Sequence, residues 1–580
     1  MAPPAPVAPP PTGAFCALRP PDARDAGAPP GYFNTSPPVL APITVAADGK
    51  NRSQARQVRL DNGRLHSAEY RLPDISMQDT IRRILTARVY DVAEETPLDP
   101  LRRLSARLAR PVLLKREDLQ PVFSFKIRGA YNKIAGLSQV ELSKGVICAS
   151  AGNHAQGVAL AAARRNIPST IVMPTTTPGI KVAAVRALGG EVVLHGDSFD
   201  EAYAHARHLE SRTGAAFIHP FDDPDVIAGQ GTVGLEIARQ HADPIEAVFV
   251  PIGGGGLAAG VASILKFLRP ETRVIGVEPI DAPTMKAAVD AGEVVTLNEV
   301  GLFADGVAVR RAGTETFRLC RDLLDEIVLV DTDAICAAIK DIFDDSRAVA
   351  EPSGAVALAG LKAWAAAHPG AGALIAVNSG ANVNFDRLRH VAERAEIGEG
   401  AEALLAVAMK DDRDDYRRFL DSLDGRSVTE FNYRWSGDGQ AQIFVGVALR
   451  NGPHERDDLI ATLRAGGYAV EDMSDNETAK LHVRYMVGGR TVGLPHERIL
   501  RFQFPERPGA FLRFLNSLQP AWALTLFHYR NHGDDVGRVL AGLSVPPEEQ
   551  AQLTAALADL GYPYVDETTN PACRLFLDGT

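Results

Sequence analysis

Lys126, in the stretch KREDLQPVFSFKIRGAYN (115–132), is the residue best placed to do chemistry. It follows Phe125 and precedes Ile127, Ala130, Tyr131 and Ile134, whose spacing is that of one helix face. Ser124 is the expected N-cap, which puts Lys126 in the first turn. A cation there opposes the positive end of the helix dipole, so a purely structural lysine belongs at the other end. Most lysines are simply solvated. The alternative for this one is a Schiff base to an aldehyde, which needs a neutral amine.

Three loops offer partners. Gly253-Gly254-Gly255-Gly256-Leu257 follows an apolar strand and opens an apolar helix. Residues without a Cβ let backbone N–H groups converge, and a helix start adds a favourable field for a phosphate. A tight turn would need only one glycine, so the run favours an anion site. It matches neither a dinucleotide fingerprint nor a Walker A loop, since no Lys-Ser/Thr pair follows. Ser150-Ala151-Gly152-Asn153-His154 also joins a strand to a helix, with donors for a carboxylate and an Asn153 amide able to bond a phenolic oxygen. His154 alone reads more readily as a packed histidine. Asn378-Ser379-Gly380-Ala381-Asn382 provides a neutral hydroxyl.

The elements that must hold these loops alternate. VLLK (112–115), GVICAS (145–150), STIVMP (169–174), EVVLHG (191–196), AVFVPI (247–252), VIGVEP (274–279), IVLV (327–330) and LIAVNSG (374–380) read as short buried strands. EAYAHARHLESRTG and AICAAIKDIFDDSRAV read as helices. Near-continuous apolar strands separated by helices predict parallel sheets covered on both faces, with ligands beyond the carboxyl ends of the strands.

From about 401 the chain repeats itself. RRFLDSLDGRSVTEFNYR (417–434) resembles LRFLNSLQPAWALTLFHYR (512–530), with Phe419 matching Phe514, Leu423 matching Leu518, Phe431 matching Phe527 and Arg434 matching Arg530. GYAVED (467–472) likewise matches GYPYVD (561–566). Each copy reads strand, helix, strand, strand, helix, strand, a ferredoxin-like unit. Such a pair suits an effector sensor or a subunit contact equally well.

At 580 residues the chain needs several domains, and 46% hydrophobic with 23% charged residues is ordinary globular composition. A net charge of −11 argues against nucleic acid or an anionic membrane as partner. The five cysteines are scattered without metal-ligand spacing, which predicts reduced thiols and no metal site. No apolar run reaches the roughly 18 residues of a membrane span. Residues 1–72 are rich in Pro, Ala and Gly and are expected to be disordered. Lacking the Ser- and Arg-rich amphipathic pattern, they leave a transit peptide open.

Together these stretches resemble the fold type II pyridoxal-phosphate enzymes, and within them the biosynthetic threonine deaminases. The resemblance rests on KREDLQPVFSFKIRGAYN, SAGNHAQGVA, PFDDPDVIAGQGT, GGGGLAAG, GLFADGVAV, AEPSGA and SGANVNFDRLR, then on GRSVTEFNYR, AKLHVRYMVGGR, PGAFLRFLN and ETTNPACR. It implies an α/β catalytic region of two parallel-sheet domains over 73–395, like the tryptophan synthase β subunit. Two ferredoxin-like, ACT-like regulatory units follow over 401–478 and 498–573.

By the same resemblance Lys126 forms the Schiff base to pyridoxal phosphate and moves the α-proton, and Phe125 packs on the cofactor ring. Asn153 meets the ring hydroxyl, Gly253, Gly254, Gly255, Gly256 and Leu257 hold the phosphate, and Ser379 faces the ring nitrogen. Ser150, Ala151, Gly152 and Asn153 grip the substrate carboxylate. The implied reaction converts L-threonine, and also L-serine, to a 2-oxoacid and ammonia, with isoleucine as inhibitor, valine as its opponent, and a homotetramer. Racemases of the same fold carry a serine where this chain has Ala151. In the second repeat Arg507, Pro508, Gly509 and Phe511 are the effector candidates; the first repeat has Lys410-Asp411-Asp412 there, so unequal units are expected. The location expected is cytoplasmic for a bacterial chain, and plastid or mitochondrion if the head is a transit peptide.

Overall fold

The computed structural model describes residues 76–580 apart from 411–412, 427, 436–439, 451, 486–495, 506–509, 520, 531–535 and 578–580. The proline-rich head, Asp411, Asp412, Arg507, Pro508 and Gly509 therefore lie outside the described residues, as does the side chain of Phe511.

Two sheets carry the catalytic region. The larger has six strands in the order Leu98–Pro100, Val112–Arg116, Ala373–Asn378, Ile245–Pro251, Arg273–Pro279 and Glu326–Val330, parallel except for the first pair. The smaller is wholly parallel, in the order Glu191–Leu194, Ser169–Met173, Val146–Ala149 and Ala216–Phe217. All the runs read as strands are strands. The two that went unread, Leu98–Pro100 and Ala216–Phe217, are three and two residues long, too short for a periodicity to show.

The central strands look continuously apolar because both faces are covered. Phe249 packs with Leu358 and Trp364 on one side, while Val248 and Val250 pack with Leu257, Ala262 and Leu265 on the other. Burying a side chain such as Phe249 stabilises by about 1.5–3 kcal/mol.

The helix of the lysine runs Lys126–Ala135, and Ile127, Ala130, Tyr131 and Ile134 are buried as their spacing predicts. Its start differs from the sequence reading. Phe125, not Ser124, is the N-cap, and no side chain caps the helix. The Ser124 backbone instead bridges to Gly380, which pulls the residue off the helix entry and leaves its hydroxyl buried without a partner. The lysine helix crosses Pro224–Gln240 at Gly229, where a Cβ would lie 2.6 Å from the Gly129 Cα, so the pair must be glycines for the helices to touch.

The C-terminal repeat folds as two four-stranded antiparallel sheets, ordered Val428–Trp435, Gln440–Ala448, Glu402–Lys410, Ala469–Asp472 and Ala523–Arg530, Val536–Ser544, Glu497–Pro505, Tyr564–Asp566. The correspondence reaches single residues. Each unit has a register shift at the same place, between Val428 and Glu430 in one and between Leu524 and Leu526 in the other. The residue inside each shift is a threonine, and Thr429 and Thr525 donate their hydroxyls to Glu402 and Glu497. Phe419 and Phe514, matched in the sequence, each sit fully buried in their own core.

Helix Arg387–Gly398 leads from the catalytic region into the first unit. Its Arg394 binds Asp333 of the catalytic region and Glu477 of the first unit, while Lys480 of that unit also binds Asp333, at 2.6 Å. Near this junction Asp331, Asp333, Gly398, Glu399, Glu402 and Arg456 help to line a cavity of about 250 Å³.

Candidate active site

Lys126 begins its helix, and its Nζ donates to the Pro220 carbonyl at 3.0 Å while lying 5.2 Å from the centre of the Phe125 ring. The side chain keeps some contact with solvent yet is deeply surrounded by protein. Burial pulls the amine down to about 8, and the Glu351 carboxylate recovers only part of that. His154 and His219 stay neutral beside it: burial and the lysine charge push both down to about 3. His154 is a packed histidine, its Nε2 bonded to the Ile218 carbonyl at 2.9 Å.

Pro220 belongs to a turn in which successive residues each hold a different part of the site. The His219 Nδ1 accepts the amides of Phe221 at 3.3 Å and Asp222 at 2.8 Å, so this nitrogen is unprotonated. The Phe221 ring fills the space that a side chain on Gly254 would need. Asp222 accepts the amides of Thr314, Glu315 and Thr316 at 2.9, 3.0 and 3.2 Å, capping helix Thr314–Leu323. Thr316 in turn donates to the Gly254 carbonyl at 2.6 Å. Asp223 caps helix Pro224–Gln240 and binds Lys133, on the lysine helix, at 2.8 Å.

The carbonyls of Gly254 and Gly255 are thus occupied, while the amides of the glycine loop are free. Among the described residues no protein acceptor takes the N–H of Gly253, Gly254, Gly255, Gly256 or Leu257. They stand at the start of helix Gly256–Leu268, with Gly255 at φ 95°, a conformation that glycine adopts without strain. Unpaired donors at a helix N-terminus suit an anion, and a phosphate fits them.

Asn153 opens helix Asn153–Arg164, which crosses the start of the lysine helix so closely that a Cβ at Gly157 would be 3.2 Å from the Ile127 nitrogen. Its amide donates to Glu351 Oε1 at 2.6 Å and accepts from Asn382 at 2.7 Å. Ser379 is buried, donates to the Ser353 carbonyl at 3.2 Å, and accepts the Phe125 amide on its own carbonyl at 3.3 Å. Ser150 Oγ accepts from the Gly152 amide at 3.3 Å, and the Cα of Gly152 faces open space. The turn Asp305–Val307 joins the two ends: a Cβ on Gly306 would lie 3.8 Å from Asn153 Nδ2, and one on Gly253 would lie 3.0 Å from the Val307 Cα. Lys126, Phe125, Asn153, Gly253 and Ser379 are therefore brought together, along with Ser150, Ala151 and Gly152.

Sequence reading missed His219, Pro220, Phe221, Asp222, Glu351 and Asn382. PFDD, AEPSGA and SGAN were visible as stretches, but their types alone gave no contact. Glu351 is fully buried; burial, reinforced by repulsion from Asp305, raises its carboxyl to about 7.

The catalytic region matches the family model described as pyridoxal-phosphate dependent enzyme over residues 89–380. The repeat matches the C-terminal regulatory domain of threonine dehydratase twice, over 393–483 and 488–577. The chain is 56% identical over 507 residues to the biosynthetic L-threonine dehydratase of Burkholderia multivorans, covering 87% of this chain and 100% of that one. It is 55% identical to the Escherichia coli protein of that name, covering 86% and 97%, and 49% identical to the mitochondrial threonine dehydratase of Saccharomyces cerevisiae, covering 89% and 92%. Among solved structures, the processed form of threonine deaminase isoform 2 from Solanum lycopersicum superposes with a TM-score of 0.54 at 53% identity, covering 55% of this chain and 93% of that one. Maize serine racemase gives a TM-score of 0.51 at 35% identity, covering 54% and 96%.

Proposed function

The chain belongs to the biosynthetic threonine dehydratase family of pyridoxal-phosphate dependent enzymes, and on that premise we propose that it is an L-threonine ammonia-lyase, forming 2-oxobutanoate and ammonia. L-Serine is a second substrate. The observation that carries this reading is the Lys126 amine, held at about 8 in one enclosure with the free amides of the glycine loop and the oriented Asn153 amide.

Those residues fit the cofactor. The amides of Gly253 to Leu257 would hold its phosphate, Phe125 would pack on its ring, Asn153 would meet the ring hydroxyl and Ser379 the ring nitrogen. When bound, pyridoxal phosphate supplies an electron sink for the carbon that carries the substrate amine. A neutral hydroxyl at Ser379 leaves the ring nitrogen less firmly protonated than a carboxylate would, so the sink is weaker and favours prompt loss of a β-substituent.

The backbone donors and hydroxyl of Ser150 to Asn153 grip the substrate carboxylate at a helix N-terminus. Lys126 Nζ takes the proton from the substrate α-carbon, a task suited to an amine whose charge burial has already weakened. The β-hydroxyl leaves as water. The resulting enamine tautomerises, takes up one water and releases ammonia, so that one threonine gives one 2-oxobutanoate and one ammonia.

The two C-terminal units bind the effectors, isoleucine inhibiting and valine opposing it, with Arg507, Pro508, Gly509 and Phe511 as contacts in a homotetramer. One assay tests both halves: 2-oxobutanoate formed from threonine, with and without isoleucine. No turnover would overturn the assignment. Turnover indifferent to isoleucine would overturn only the regulatory half.

A further inference from the structure

Glu351 is the N-cap of helix Pro352–Ala367, yet its side chain does not cap that helix. The carboxyl turns away from its own helix and takes a hydrogen bond from Asn153 Nδ2 at 2.6 Å. Space for the turn comes from Gly380, where any Cβ would collide with Glu351 Oε1, and the Glu351 amide fixes the contact by donating to the Gly380 carbonyl at 3.1 Å. On the other side Asn382 Nδ2 donates to Asn153 Oδ1 at 2.7 Å and to the Val122 carbonyl at 2.8 Å, four residues before the lysine.

This arrangement settles which way the Asn153 amide points. A flipped amide would set its nitrogen against the Asn382 nitrogen, which the Val122 carbonyl holds in place, and its oxygen against the Glu351 carboxyl, a repulsive pairing whenever that carboxyl is ionised. In the observed orientation one N–H is spent on Glu351, the oxygen on Asn382, and the second N–H donates to no protein group among the described residues. Oε1 of Glu351 accepts this bond whether the carboxyl is charged or carries its proton on the other oxygen, so the grip does not depend on ionisation.

We propose that Glu351 and Asn382 are positioning residues that lock the Asn153 amide, so that its free N–H is presented to the ring hydroxyl of the cofactor. The inference rests on the reading that Asn153 faces that hydroxyl. It assigns a use to the AEPSGA stretch and to the end of SGAN, neither of which touches the reacting atoms.

The test uses the full-length holoenzyme and two readouts besides activity: the visible absorbance of bound pyridoxal phosphate across pH, and its Kd. Asn153→Ala is expected to shift the absorbance titration. Glu351→Ala is expected to shift it in the same direction and to raise Kd by up to about tenfold, the scale of one lost hydrogen bond. The double variant should shift no further than Asn153→Ala, because both changes remove one contact. Glu351→Gln should restore the native spectrum, since its amide oxygen still accepts from Asn153.

If Asn153→Ala leaves the spectrum unchanged, the placement of Asn153 against the cofactor is wrong and the inference falls with it. If Asn153→Ala shifts the spectrum while Glu351→Ala does not, or if the two effects add, the inference alone is overturned. Should Glu351→Ala fail to fold, Glu351→Asp withdraws the oxygen by one methylene and must give the same shift; a native spectrum in that variant would also overturn it.

Discussion

Lys126 Nζ donates to the Pro220 carbonyl at 3.0 Å, a neutral acceptor where a buried lysine elsewhere in this protein, Lys115, has the Glu236 carboxylate at 2.6 Å. A carbonyl fixes the position of the amine without strongly holding its charge, which is what burial then draws down to about 8. Only the neutral amine couples to an aldehyde. In the apoprotein the rate of coupling to pyridoxal phosphate should therefore rise about tenfold per pH unit up to roughly pH 8 and level off above it. Because the unfolded chain keeps the lysine proton between about pH 8 and the ordinary lysine value, this group also makes stability rise with pH across that window. Lys126→Ala should show no coupling and no turnover, with its unfolding midpoint near that of the parent.

His219 shapes the turn that brings Pro220 to the lysine. Replacing it by Leu leaves the part-buried amides of Phe221 and Asp222 without their acceptor, at a cost of about 1 kcal/mol for each, the low end of the range for a fully buried donor. His219→Leu should loosen both the lysine contact and the packing of Phe221 under Gly254, seen as faster loss of pyridoxal phosphate on dialysis. Since burial keeps His219 neutral down to about pH 3, a change in pH from 6 to 8 should not mimic the variant.

Arg128 lies two residues beyond the lysine and serves the fold. It binds Glu117 at 2.7 Å and Glu236 at 2.5 Å, all three side chains wholly buried, and Lys115 shares Glu236. Breaking a buried pair by removing one partner costs about 3–5 kcal/mol, because the remaining charges lose their compensation. Arg128→Met should lower the unfolding free energy of the catalytic region by that order, seen as an earlier urea midpoint, while turnover per folded molecule stays within about threefold of the parent.

The contrast between Lys126 and Arg128 marks what the sequence could and could not convey. Strand and helix identities were readable because both faces of the sheets are apolar and the helix faces recur at their period. The anion loop was readable because four successive glycines have few other uses. Lys115, Glu117 and Arg128 share the stretch that carries the resemblance, but nothing in their types separates a buried ion network from a surface one, since Glu236 is contributed by a helix more than a hundred positions away. Ser124 was misread as a cap because its pairing with Gly380 is a tertiary event. Glu351 was invisible for a related reason: nothing in a glutamate at a helix start tells a solvated carboxylate from a buried one, and only the fold sets Asn153 beside it.

Arg394 ties helix Arg387–Gly398 to both sides of the junction, and seven residues earlier the same helix places Arg387 against Asp305 at 3.5 Å and the Phe303 carbonyl at 2.8 Å, next to the turn that borders Asn153. On the regulatory side burial pushes Glu477 up, but Arg394 and Lys480 overcome it and hold the carboxylate at about 2, so the contact is charged at any working pH. A movement of the first regulatory unit must shift or break these ion pairs, and the helix offers a rigid route from them to Asp305. Glu477→Gln removes the charge while keeping the shape. It should leave the basal kcat/KM for threonine within about twofold and raise the isoleucine concentration for half inhibition by about five- to tenfold, within the usual range of coupling energies. Inhibition curves measured side by side decide it: an unchanged midpoint would mean that effector binding reaches Lys126 without passing through this junction.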